Sequence, residues 1–93
     1  MSEKERQQAA GELLDYARTV CMVTPNMVAR ATGLQVPVRL VWCAAGAGLA
    51  SYHKSINRVQ DDIRAAFGSD AEQLPKAYFD GYQLETLREQ YAL

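Results

Sequence analysis

The stretch VRLVWCAAGAGLAS, residues 38–51, decides the fold. Its first half carries the β-formers Val38, Val41 and Trp42, with Val36 just before them. Its second half, Gly46-Ala47-Gly48-Leu49-Ala50-Ser51, is a G-x-G-x-x-S close to a dinucleotide fingerprint. Taken as a strand running into a phosphate loop, it would make an α/β nucleotide-binding enzyme. Taken as a helix, it leans on a core through Trp42 and ends in small residues where a neighbouring helix can approach.

The surrounding sequence favours the helix. A βαβ unit needs a second parallel strand, and residues 68–93 offer no run of β-type composition. No Asn-Gly or Asp-Gly hairpin turn is present either. Residues 3–22 read as a helix with Ser2 as cap, Glu5 completing a capping box, and Leu13, Leu14, Ala17, Val20 and Cys21 on one face. Gly11 is a mild weakness inside it. Thr24-Pro25 is a helix start, and Gly33 is its C-terminal stop. A third helix is expected over about 36–49, with Pro37 in its first turn. Residues 50–67 carry the cleanest amphipathic stripe, Tyr52, Ile56, Val59, Ile63 and Phe67, stopped by Gly68. A linker comes next, in which Ser69 or Asp70 caps a short turn, and a final helix is expected from Gly81 onward. The predicted fold is therefore all-α: one domain of 93 residues, a compact bundle of four to five helices.

Composition excludes several classes. A hydrophobic content of 48% fits a folded domain rather than a disordered chain. No apolar run is long enough for a membrane span, and the start of the sequence is charged and polar without an apolar signal core, so a cytoplasmic location is expected. Cys21 and Cys43 lack metal-knuckle or C-x-x-C spacing and read as buried small hydrophobes. The single histidine, His53, has no companion ligands for zinc and no required proximity to Cys43, so neither a metal site nor a nucleophile–base pair is expected. Asp61 and Asp62 are neighbours on a helix and point about 100° apart, so they do not share a site. No catalysis and no cofactor are expected.

Charge is unevenly distributed although the net is only −1. From Thr19 to Gln60 there is no acid, against Arg30, Arg39, Lys54 and Arg58; from Asp61 onward seven acids face Arg64, Lys76 and Arg88. Within the basic span, TPNMVARATGLQVPVRLVW (residues 24–42) resembles a helix-turn-helix. Val28, Ala29, Gly33 and Leu34 match in order and spacing, and Trp42 falls on a later apolar position. Arg39 departs from the pattern, standing where a buried aliphatic belongs; Val38 lies one residue early. The resemblance implies a dimeric regulator of duplex DNA. Gln35 and Arg39 would then face base edges, and Arg30, Lys54 and Arg58 would meet phosphates.

The alternative is a small inhibitor or adaptor of the kind phages and mobile elements encode, binding a host protein or nucleoprotein complex. Its contact surface would be acidic and tyrosine-rich, using Asp61, Asp62, Tyr78, Tyr82 and Tyr91. Both readings make the protein a binder rather than an enzyme.

Overall fold

The computed structural model describes residues 2–20, 22–49, 56–74 and 81–93. Among them run five α-helices: α1 (Glu3–Val20), α2 (Pro25–Thr32), α3 (Val38–Leu49), α4 (Ile56–Phe67) and α5 (Gly81–Gln90). A 3-10 helix, Gly68–Gln73, continues directly from α4. No strand occurs among the described residues. The protein is an all-α bundle, with a radius of gyration of 12.5 Å.

Local chemistry sets the first helix boundaries. Ser2 Oγ accepts from the Glu5 amide at 3.2 Å, and the Ser2 amide donates to Glu5 Oε1 at 3.4 Å. This reciprocal box satisfies two otherwise orphaned donors. Thr24 Oγ1 caps α2 by accepting from the Met27 amide, and Pro25 occupies the first turn. Gly33 ends α2 at φ 75°, where its amide donates to the Ala29 carbonyl at 2.8 Å. That left-handed geometry strains any residue with a Cβ. Thr32 is buried but satisfied: its hydroxyl donates to the Val28 carbonyl and accepts from the Leu34 amide.

Helix α3 begins at Val38 rather than at residue 36. The Pro37 carbonyl accepts the amides of Leu40 and Val41, which makes Pro37 the cap and leaves residues 34–37 outside any helix. The stretch 38–49 is thus helical, not a strand. Leu40 through Ala45 are fully buried, and Gly46 and Gly48 are buried as well. Helices α1, α5 and α4 pack around α3. A helix apolar on every side belongs at the centre of a bundle.

Helix α4 meets that centre through Ile63 and Phe67. Phe67 packs edge-on against Trp42, ring centroids 5.5 Å apart. Arg64 lies over the Trp42 ring at 5.7 Å and donates to the Ala71 carbonyl at 2.9 Å, fastening the 3-10 helix beneath. That helix starts from Phe67 without a side-chain cap, so neither Ser69 nor Asp70 caps it. Residues 50–55, the beginning of the expected fourth helix, lie outside the described residues, as does Cys21.

The C-terminal end of α5 closes in a Schellman motif. The Leu93 amide donates to the Arg88 carbonyl, the Ala92 amide to the Glu89 carbonyl, and Ala92 sits at φ 56°. Gly11 proves to be more than a weak helix position. A Cβ there would stand 3.1 Å from the Leu93 carbonyl oxygen and 3.2 Å from the Arg88 guanidinium. The glycine lets the chain after α5 lie directly on α1.

Candidate protein-binding surface

The expected DNA-reading residues divide between the surface and undescribed positions. Arg30 is exposed in the last turn of α2, Gln35 is exposed in the α2–α3 connection, and Arg39 is exposed in the first turn of α3. Lys54 lies outside the described residues. Arg58 is on α4, with its side chain outside the described residues.

The helix that would carry recognition is enclosed. Among the described side chains of α3, Arg39 alone is exposed, while Val38 and Ala47 are half-buried. A major groove is about 12 Å wide and admits one helix of about that diameter. With α1, α4 and α5 packed around it, α3 presents only its first turn, at Arg39, among its described side chains. Gly33 is a true helix stop, yet the helix after it is the core of the bundle and not an exposed recognition helix.

Exposed charge of both signs is spread over the bundle, Lys4, Arg18, Arg30 and Arg39 among the cations. All ten described carboxylates are exposed: Glu3, Glu5, Glu12, Asp15, Asp61, Asp62, Asp70, Glu72, Glu85 and Glu89. Asp61 and Asp62 stand on the outer side of α4. Tyr91 lies just beyond α5 and is 47% exposed. Tyr78 lies outside the described residues, and Tyr82 is on α5 with its side chain outside them.

Arg88 organises one edge of this surface. Its guanidinium pairs with Asp15 of α1, donates to the Gly11 carbonyl at 3.3 Å, and donates through Nε to the Leu93 carbonyl at 2.8 Å. Arg88 is 17% exposed and Asp15 60%. Asp15, Glu85 and Glu89 therefore lie around Arg88, which is already engaged. Glu85 and Glu89, four residues apart on one helix face, repel each other by a few tenths of a kcal/mol, since like charges at that spacing are unfavourable. An incoming cation relieves that repulsion.

Beside this edge a cleft of about 180 Å³ opens between the start of α1, the α2–α3 connection and the end of the chain. Leu34, Val36, Pro37, Tyr91 and Leu93 form its apolar lining, with Glu3, Gln7 and Gln35 as polar members. It brings together Gln35 and Tyr91, which the sequence assigns to two different binding modes. Glu3, Gln7, Arg88 and Gly11 do not stand out as site residues in the sequence. The spacing of four between Glu3 and Gln7 places them on one helix face, but nothing local shows that residues 34–37 and 91–93 meet there.

Among the described residues no group of three His, Cys, Asp or Glu side chains could hold a metal ion. Cys43 is buried in α3. No described helix is long and apolar enough to cross a membrane. No protein-family model matches the chain, and no curated protein and no solved structure matches it.

Proposed function

We propose that the protein is a non-enzymatic binder that docks on a basic surface of a partner protein through its acidic α1–α5 edge. This is the mode of a small inhibitor or adaptor, the type phages and mobile elements use to block a host complex. The observation that carries the reading is the contrast in exposure: the described carboxylates all face solvent, while α3 is enclosed. An acidic field speeds encounter with a basic partner and selects against wrong ones. Tyr91 adds an aromatic anchor beside the charges.

Duplex DNA is the second reading, favoured by the exposure of Arg30, Gln35 and Arg39. It would use the first turn of α3 and the connection before it, in a dimer that supplies two such tips.

One paired experiment separates them. The tagged protein, its Glu85→Lys/Glu89→Lys variant and its Asp61→Lys/Asp62→Lys variant are used as bait in host lysate, and all three are titrated with labelled duplex DNA at low salt. Protein docking predicts a stoichiometric protein partner that the Glu85→Lys/Glu89→Lys reversal releases and the Asp61→Lys/Asp62→Lys reversal on α4 does not. DNA reading predicts retention on duplex that falls steeply with salt and weakens in Arg39→Ala. Retention on duplex with no protein partner overturns the protein-docking proposal.

A further inference from the structure

We infer that residues 88–93 form a latch on α1, and that its opening releases α5 from α3 as a unit while the other helices stay packed. This holds whatever the protein binds.

The latch joins the two ends of the sequence. The Leu93 amide donates to the Arg88 carbonyl, and Arg88 Nε donates back to the Leu93 carbonyl, each at 2.8 Å. The same guanidinium pairs through Nη1 with Asp15 and donates through Nη2 to the Gly11 carbonyl at 3.3 Å. One planar fork thus closes the end of α5 and fastens it to α1. Because a single side chain serves both contacts, closure and docking are lost together.

Gly11 is part of the device. A Cβ there would stand 3.1 Å from the Leu93 carbonyl oxygen and 3.2 Å from the Arg88 guanidinium, tighter than ordinary van der Waals contact. Both neighbours belong to the latch, so it is the latch that a side chain at position 11 displaces.

The remaining helices hold one another without α5. Helix α1 packs on α2 and α3, and α4 packs on α3. Helix α1 buries Ala10, Leu14 and Ala17, whereas among the described apolar side chains of α5 Leu84 is buried and Leu87 half-buried. An element with fewer buried apolar contacts opens at a lower free energy than the core. Its ion pair is wet on one side, with Asp15 60% exposed, so salt weakens it. Opening uncovers the side of α3 on which α5 packs.

The test is native-state hydrogen exchange, read amide by amide on the isotopically labelled full chain, for the parent, Asp15→Asn and Gly11→Ala. In the parent, the Leu87, Arg88 and Leu93 amides should share one opening equilibrium, at least tenfold more open than that of the Leu14 and Ala17 amides. Asp15→Asn should speed exchange at the three α5 and chain-end amides at least threefold and leave Leu14 and Ala17 within twofold of the parent. High salt should act on the parent in the same way and add little in Asp15→Asn, where the pair is already gone. Gly11→Ala is the sharper arm. Alanine is the better helix former, so local propensity alone gives slower exchange in α1 and no acceleration at the far end of the chain. The latch requires exchange at Leu87, Arg88 and Leu93 to accelerate at least fivefold. Circular dichroism melts establish that the variants fold; if Gly11→Ala does not, Asp15→Asn and the salt series decide alone. Equal opening of α5 and α1 in the parent overturns the inference. So does an unchanged rate at Leu87 and Arg88 in Asp15→Asn, because acceleration confined to Leu93 is fraying.

Discussion

Helices α3 and α4 have the same length, 12 residues, and opposite characters. Helix α4 shows the most regular amphipathic pattern in the sequence and lies at the edge of the bundle, touching the core through Ile63 and Phe67. Helix α3 shows no polar stripe and is open, as sequence, to a strand or phosphate-loop reading, yet it is the centre. The difference teaches what periodicity reports. A 3.6-residue pattern records a boundary between core and water. A helix without such a boundary has no pattern to show, so the segment hardest to read is the one the others are built around.

The contrast is testable by substitution. Removing the largest side chain of α3, in Trp42→Ala, should cost about 3–5 kcal/mol. A domain of this size has only about 5–14 kcal/mol in total, so urea denaturation should show a very early midpoint or no native baseline. A midpoint close to that of the parent would mean α3 is not the centre. Ala45→Leu tests the close packing of the small-residue end. Overfilling a fully buried position should cost about 1–3 kcal/mol in the same denaturation experiment. Arg64→Ala probes a polar tie between the two helices. Losing its contact with Trp42 and its bond to the Ala71 carbonyl should cost about 1–2 kcal/mol. Arg64→Lys should recover only part of this, because an ammonium lacks the planar fork. Ala65→Leu, on the exposed side of α4, should change stability by less than about 0.5 kcal/mol. If it matched the loss seen in Ala45→Leu, the assignment of centre and edge would be wrong.

What can be read from the sequence is local. The Ser2–Glu5 box, the Thr24-Pro25 start and the Gly33 stop each depend on residues within a few positions of one another, and each is present. The start of α3 lies two residues later than the sequence suggests because Pro37 serves as the cap instead of entering the first turn. Gly11 looks like a flaw in sequence because its reason, the approach of Arg88 and Leu93, comes from the other end of the chain. The cleft is hidden for the same reason. Gln35 and Tyr91 are far apart in sequence, and their meeting results from how α1 and α5 wrap α3 rather than from any motif. Of the helix-turn-helix resemblance, the glycine stop is local and is present at Gly33, whereas which face of the next helix is covered depends on α1, α4 and α5 and cannot be read from spacing.

The enclosure of α3 has a consequence for how the protein is made. One of its walls, α1, is synthesised before it, and another, α5, emerges only about thirty residues after it ends. At about 5–20 residues per second, the nascent chain holds an apolar helix with an open side for about 2–6 seconds. The Asp15–Arg88 pair spans 73 positions and can form only after that interval, once the last turns of α5 have been made. Completion of the bundle therefore waits for α5. A ribosome pause before α5 would leave Leu40 through Ala45 exposed to chaperones or to other nascent chains.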